Sequence, residues 1–323
     1  MLPAKFVERV LRELGPDEGG ALCRALTGEP SVSVRLNAAK GLAAPSGRPI
    51  GWSSGGYWLD ARPSFTLDPD FHAGRYYVQE ASSQFVGHIV AACGGIRGGR
   101  VLDLCAAPGG KTTLYSTLAG RGGLVVANEI VRNRAAVLAD NVRKWGVGNV
   151  AVTVNDPSQV ARLEGWFDAV AVDAPCSGEG MFRRQPEARD EWHADSPAYC
   201  ADRQMDILSE AAKMLRPGGV MVYSTCTFND TENEGVLKRF LQAHPEFSME
   251  PFALSGLPEA PNGWLHLYPH EMRGEGHFVS RLRNSADAPV PQAEMPRMRP
   301  TRPAKTAGKN AKVPAPPVLP DVF

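Results

Sequence analysis

The chain has 323 residues, with 35 Lys and Arg against 35 Asp and Glu, so its formal net charge is zero. Hydrophobic residues make up 43% and the mean hydropathy is slightly negative, which excludes a disordered or collagen-like chain. The length leaves room for one large core or two domains, and zero net charge excludes a uniformly basic nucleic-acid coat but not a local basic patch. None of the six cysteines (Cys23, Cys93, Cys105, Cys176, Cys200, Cys226) forms a C-x-x-C pair, which speaks against a zinc framework. Scattered thiols in a chain of this size point to a reducing, cytoplasmic setting.

In chain order, Met1–Gly15 alternates charged and apolar residues and predicts an amphipathic helix, not a signal peptide. No run approaches the roughly 18 uncharged apolar residues of a membrane span. The Gly/Pro/Ser-punctuated stretch 41–69 follows, with β-leaning pieces at Ser31–Leu36 and Tyr57–Leu59, so residues 1–95 are expected to form a small α+β domain. Residues 96–284 then alternate short apolar runs with helix-like segments. The runs are Val101–Cys105, Leu124–Asn128, Val150–Val154, Asp168–Val172 and Val220–Ser224. The helices are Lys111–Leu118, Arg132–Trp145, Arg203–Leu215 and Glu232–His244. Continuous apolar strands between helices predict a doubly wound, mostly parallel α/β sheet whose strands are buried on both faces. Pro217-Gly218-Gly219 marks the turn into the last of these strands. Residues 285–323 are Pro-rich and mildly basic, and read as a linker or disordered tail.

The first parallel strand runs into Cys105-Ala106-Ala107-Pro108-Gly109-Gly110-Lys111, a tight turn at the start of a helix. Its glycines let the backbone approach a ligand, and the helix start favours polar or anionic ligand groups. A Walker A loop fails because Cys105 stands where its first glycine is required, and G-x-G-x-x-G is absent. Glu129 closes the second strand, where an acidic residue bonds ribose hydroxyls, and Asp156 follows the third, near an adenine amino group. The fourth strand leads into Asp173-Ala-Pro-Cys176 and the fifth into Ser224-Thr-Cys226-Thr227. Both cysteines therefore stand outside the carboxyl ends of strands, where ligands bind in open α/β sheets. An isolated cysteine is more often a small buried hydrophobe, which accounts for Cys93 and Cys200 but not for this pair.

These residues carry a resemblance. The segments DLCAAPGGKTT, NEI, DAPCSGEGMFRR and YSTCTFNDTENE resemble, in order, the motifs of the Sun/Fmu-type RNA cytosine-5 methyltransferases. The likeness extends to Ser31–Asn37, Tyr76–Ser83 and Tyr268–Leu282, covers roughly residues 1–284, and is nearest to the RsmF branch, which acts on small-subunit ribosomal RNA. It implies a Rossmann-like fold using S-adenosylmethionine, with an N-terminal RNA-binding domain over 1–95 and a catalytic domain over 96–284. The branch continues into a further C-terminal RNA-binding region. Here the chain stops at Phe323, as either a short member or part of a longer protein.

The implied chemistry is methylation of cytosine carbon 5. Cys226 is the nucleophile that adds to carbon 6, Cys176 assists release, Asp173 holds the base, and Lys111 holds the base or offsets charge. The cofactor would lie over Cys105–Lys111, with Glu129 on its ribose, Asp156 on its adenine and Asp173 alongside. No metal is needed. Arg183, Arg184 and Arg35 are expected to meet RNA, with Phe182 and Trp192 as stacking candidates or as packing of their own loop. The resemblance implies a 16S ribosomal RNA substrate; a cytoplasmic protein without membrane attachment is expected from the thiols and the absent apolar run, with a monomer as the default. The alternatives are the same chemistry on transfer RNA, or a non-catalytic RNA-binding ribosome assembly factor. An amino-group methyltransferase would carry an aromatic residue after Asn/Asp-Pro-Pro, which Asp173-Ala-Pro-Cys176 does not.

Overall fold

The structure, a computed structural model, describes residues 1–92 and 96–288. The expected boundary near residue 95, Cys93 and nearly all of the Pro-rich segment lie outside these residues. The chain opens with α1 (Ala4–Ala25), which is broken at Gly15 (φ 81°) where Pro16 starts its second half. Then come β1 (Ser33–Leu36), β2 (Arg48–Pro49), β3 (Gly56–Trp58), α2 (Pro69–His72), β4 (Tyr76–Val78) and α3 (Ala81–Ala92). The alternating part follows as β5 (Arg100–Asp103), α4 (Gly110–Ala119), β6 (Leu124–Asn128), α5 (Arg132–Trp145), β7 (Val150–Thr153), α6 (Pro157–Val160) and β8 (Phe167–Asp173). It continues with α7 (Glu187–Glu191), α8 (Ser196–Met214), β9 (Leu215–Thr225), α9 (Glu234–Ala243), β10 (Phe247–Met249), β11 (Trp264–Leu267) and β12 (His277–Asn284).

Strands β5 to β9 are parallel in the order β9-β8-β5-β6-β7, and β12 pairs antiparallel outside β9. The free edge of β12 is covered by β10 and β11. Residues alternate across this sheet. Leu102, Val170, Val172, Met221 and Tyr223 face α8 and α9, whereas Val101, Ala169, Ala171, Val220 and Val222 face α3 and α4. All ten are buried. Two-sided burial is why these strands read as unbroken apolar runs. The sequence order reverses between β5 and β8, so the open crevice lies at the carboxyl ends of those two strands.

Several elements differ from the sequence expectation. Helix α8 begins at Ser196, seven residues before Arg203, because Pro197 at its first turn suits a helix start. The predicted turn at Pro217-Gly218-Gly219 is a bulge within β9. Phe167 pairs with Leu215 but Ala169 already pairs with Val220, and Gly218 takes φ 70° to absorb the surplus. Helix α3 and strands β10–β12 have no counterpart among the predicted elements. The antiparallel edge lacks the strand–helix rhythm that marked the others.

The N-terminal strands form a separate antiparallel sheet, β2-β3-β1-β4. Helix α1 buries Phe6, Val10 and Leu22 against Phe182, Trp192 and Phe228 from the segments that follow β8 and β9. This contact brings the N-terminus to the crevice.

Candidate active site

Two cavities meet at the carboxyl ends of β5, β8 and β9. The larger, about 670 Å³, runs over Cys105, Ala107, Glu129, Asp156 and Asp173 to the two thiols. The smaller, about 300 Å³, lies on the other side, between Lys111, Asp173, His277 and the N-terminal residues Tyr77 and Gln79. Cys105, Ala107, Asp173, Met181 and Cys226 line both, so they form the wall between them.

The loop after β5 turns through Gly109 at φ 109°, a conformation that favours glycine, and starts α4 at Gly110. Lys111, in the first turn of α4, donates to Asp173 Oδ2 at 2.8 Å. Ser224 donates to Asp173 Oδ1 at 2.9 Å, and His277 Nε2 lies 3.5 Å from the same oxygen. Burial alone would raise the Asp173 carboxyl, but the Lys111 ammonium and the His277 ring outweigh it and hold it well below the usual carboxylate range. Asp173 is therefore an anion with two fixed donors.

Cys176 Sγ and Cys226 Sγ are 3.3 Å apart. The contact with Cys226, burial and the nearby Glu232 carboxylate all push the Cys176 thiol well above its ordinary value, so Cys176 keeps its proton at neutral pH. The loops carrying the two cysteines are in close contact. Gly180 N donates to Cys226 O at 2.8 Å, and a Cβ at residue 180 would stand 2.9 Å from that oxygen, so only glycine fits. Glu179, fully buried, accepts from Arg9 Nη2 at 2.6 Å, Phe228 N at 3.1 Å and Trp192 Nε1 at 3.2 Å.

On the far side of the larger cavity, Glu129 accepts from Val131 N at 3.0 Å and pairs with Arg134 at 3.2 Å. Asp156 caps α6 by accepting from Ser158 N and Oγ through Oδ1. The cavity is lined by the carboxylates of Glu129, Asp156, Asp173, Asp206 and Glu210 against the guanidiniums of Arg134 and Arg203. This acidic lining suits a cationic sulfonium, and the volume suits a nucleoside with an amino-acid arm.

The sequence-predicted residues thus divide. Cys226, Cys176, Asp173, Lys111 and the loop Cys105–Lys111 come together, with Glu129 and Asp156 at the outer end of one cavity. Arg35 does not join an RNA-accessible surface. It is 2% exposed, donates to Gln79, Gly110 O and Thr113, and lies over the Trp145 ring. Arg183 is likewise turned inward, donating to Glu275 at 2.8 Å and to the Gly274 and Ala25 carbonyls. Phe182 and Trp192 are buried against Phe6 rather than free to stack on bases. Arg184 is exposed and reaches the mouth of the smaller cavity.

Three functional candidates escaped the sequence reading. Asp103 is buried, accepts from Thr112 at 2.6 Å through one oxygen, and has no partner for the other. Burial pushes it up to about 7 despite the Thr112 bond, with the Asp173 and Glu129 charges adding to the rise. An acidic residue inside an apolar strand was the available signal. His277 opens β12, an unpredicted strand. Glu232 lies deep beneath the thiols and was visible only as one acid in an acidic run.

The fold, its switch-point crevice and this cavity define a Rossmann-like S-adenosylmethionine-dependent methyltransferase. Residues 96–283 match the family model described as 16S rRNA methyltransferase RsmB/F, and residues 2–81 match the N-terminal domain of 16S rRNA methyltransferase RsmF. The chain belongs to the RsmB/F family of 16S rRNA methyltransferases, on its RsmF side. It is 39% identical over 250 residues to ribosomal RNA small subunit methyltransferase F of Serratia proteamaculans, covering 75% of this chain and 52% of that one. Against the protein of the same name from Pectobacterium atrosepticum, identity is 36% over 313 residues, covering 89% and 64%. The chain therefore spans about half to two thirds of the length of these relatives. A solved methyltransferase homolog protein from Pyrococcus horikoshii superposes with TM-score 0.72 at 27% identity, covering 86% of this chain and 93% of that one. NSun6 of the same organism, solved with SFG, shares the fold at TM-score 0.73 and 21% identity, covering 87% and 98%.

Proposed function

We propose that this chain methylates carbon 5 of a cytosine in RNA, with 16S ribosomal RNA as its target, through a covalent bond between Cys226 and carbon 6. The observation that carries this reading is the pair of sulfurs 3.3 Å apart at the wall between the two cavities.

Carbon 5 of cytosine is a weak nucleophile. Addition of a thiolate to carbon 6 turns the ring into an enamine, which splits one hard step into easier ones. Cys226 adds from the wall of the smaller cavity, where the base would sit. The ionised Asp173 accepts from the exocyclic amino group, and from ring nitrogen 3 only once that nitrogen carries a proton. The Lys111 ammonium offsets the charge that reaches the ring as the thiolate adds. S-Adenosylmethionine in the larger cavity supplies the methyl group, with Cys105–Lys111, Glu129 and Asp156 as its binding groups.

Release then requires that the carbon 5 proton leave to solvent. Its electron pair forms the C5–C6 double bond, and the C6–S bond breaks with its pair returning to Cys226. A protonated Cys176 at 3.3 Å is placed to donate to the departing thiolate. A base inside a duplex cannot reach this site, so the target must be unpaired or flipped. Arg184 stands at the cavity mouth to meet a flanking phosphate.

The test is transfer of tritiated methyl groups to 16S RNA. Cys226→Ala is expected to lower the rate by about 10³-fold or more. Cys176→Ala is expected to leave a protein–RNA adduct on a denaturing gel. Undiminished transfer by Cys226→Ala overturns the mechanism. If bisulfite sequencing of a strain lacking the gene shows every 16S 5-methylcytosine intact, the proposed target falls.

A further inference from the structure

We infer that Glu232 is a positioning residue that sets the spacing of the two thiols and thereby governs release of the methylated base. The inference rests on the covalent mechanism proposed above.

Glu232 is fully buried in the segment between β9 and α9. Its carboxylate accepts four hydrogen bonds. Ser177 N donates to Oε2 at 2.9 Å, Gln204 Nε2 donates to Oε2 at 2.9 Å, and Asn229 Nδ2 donates to Oε1 at 2.7 Å. The Ser177 hydroxyl makes the fourth, a very short bond to Oε1. An ionised carboxylate, which accepts and does not donate, satisfies all four donors. Burial raises this carboxyl above its ordinary value, although the Ser177 and Asn229 bonds favour its charged form.

These bonds tie together the chain segments on either side of the sulfurs. Ser177 follows Cys176 directly and Thr227 follows Cys226. The Ser177 and Thr227 hydroxyls lie 2.9 Å apart, and Asn229 Nδ2 also donates to Thr227 Oγ1 at 3.0 Å. Gln204, from α8, donates to Pro175 O at 3.0 Å as well as to Glu232, so the residue before Cys176 is anchored too. Tyr223 OH, from β9, lies 2.6 Å from Glu232 O and 3.0 Å from Gln204 Oε1. The loop after β8 and the loop after β9 are thus held in one network with Glu232 at its centre. Glu232 touches neither sulfur. It acts through the residues on either side of Cys176.

Glu232→Gln keeps the shape but turns an amide N–H₂ toward Asn229 Nδ2 or toward Ser177 N and Gln204 Nε2, so at least one donor loses its acceptor and the network around Cys176 must rearrange. Addition by Cys226 needs the base and its own sulfur. Release also needs Cys176 in place. The substitution should therefore slow release more than addition.

The experiment compares wild type, Glu232→Gln and the milder Ser177→Ala on two RNAs carrying the target site. One contains cytidine and the other 5-fluorocytidine, whose carbon 5 has no proton to lose, so that it reports addition without release. On 5-fluorocytidine RNA, Glu232→Gln is expected to form adduct within about 3-fold of the wild-type rate. On ordinary RNA it should turn over about 10- to 100-fold more slowly and hold a gel-shifted adduct that wild type does not accumulate. Ser177→Ala should shift both readouts in the same direction by less. A Glu232→Gln enzyme that turns over at the wild-type rate with no adduct overturns the inference. So does equal loss on both RNAs by Ser177→Ala with an unchanged melting temperature, because Glu232 would then support addition. Failure of wild type itself to trap 5-fluorocytidine RNA overturns the covalent mechanism instead.

Discussion

The cofactor side of the site and its thiol side are held in different ways. At the ends of β6 and β7, Glu129 and Asp156 are fixed by backbone groups two residues further along the chain. Beneath the thiols, Ser177 meets Thr227 and Glu232 across 50 and 55 residues of sequence, and Arg9 reaches Glu179 across 170. A local cap can be lost without moving its neighbours. A long-range network cannot, because each donor it frees stays buried without water. Damage on the cofactor side should therefore appear as weaker binding, and damage on the thiol side as slower chemistry.

The severest trial of this division is Asp173, which lines both cavities. Asp173→Asn keeps the shape but removes the charge that Lys111 and His277 face. We expect kcat/KM to fall by about 10²- to 10³-fold, carried mainly by kcat, since the loss falls where charge develops in the transition state. Steady-state kinetics at saturating cofactor decides. A raised KM for S-adenosylmethionine with kcat preserved would place Asp173 wholly on the cofactor side.

Glu129→Ala is the opposite probe. Removing a buried carboxylate proposed to hold ribose hydroxyls should weaken cofactor binding about 10-fold, close to 1.4 kcal/mol. At saturating cofactor, kcat should stay within about 3-fold. Calorimetric titration with S-adenosylmethionine reads the first quantity and methyl transfer the second. A collapse of kcat would show that the two sides do not separate.

The same contrast explains what the sequence disclosed. Strands β5, β6 and β8 were legible because burial on both faces leaves unbroken apolar runs. The two cysteines of the thiol site were legible because Cys226 directly follows β9 and Cys176 stands three residues after β8. Glu232, Asn229 and Gln204 were not, since nothing local distinguishes a buried acid in Asn229-Asp-Thr-Glu232-Asn-Glu234 from its exposed neighbour Asp230. Arg35 misled for the mirror reason. In a strand of alternating residues it resembles a surface cation, yet Gln79, Thr113 and the Gly110 carbonyl receive it inside. Strand β12 was missed because an antiparallel strand follows no helix of the repeating pattern.

The arginines extend the comparison to RNA. Arg184→Ala should weaken binding of target RNA several-fold. It should lower the slope of log K against log salt by about 0.7 if one single-stranded phosphate contact is lost, with no change in melting temperature. Arg35→Ala should instead lower the melting temperature, because it strands buried acceptors. Fluorescence anisotropy over a salt series, with thermal melts on the same samples, separates the two. An Arg184 variant with an unchanged slope removes that residue from the RNA path.

The smallest effect concerns pH and lies at the inner end of the smaller cavity. Asp103 is buried and pushed up to about 7, above its ordinary value of 3.8. A raised carboxyl favours the neutral form in the folded state. Its contribution to stability is thus complete below about pH 4 and is lost as pH rises through about 7. At pH 8 wild type must hold a charge in a dry site beside Asp173 and Glu129, while Asp103→Asn holds none and can still accept from Thr112. The melting temperature of Asp103→Asn relative to wild type should therefore rise by about 2–4 °C between pH 5 and pH 8. Scanning calorimetry across that range reads the difference directly. Parallel curves would mean that Asp103 does not titrate there, and that the smaller cavity is wetter at its inner end than its packing implies.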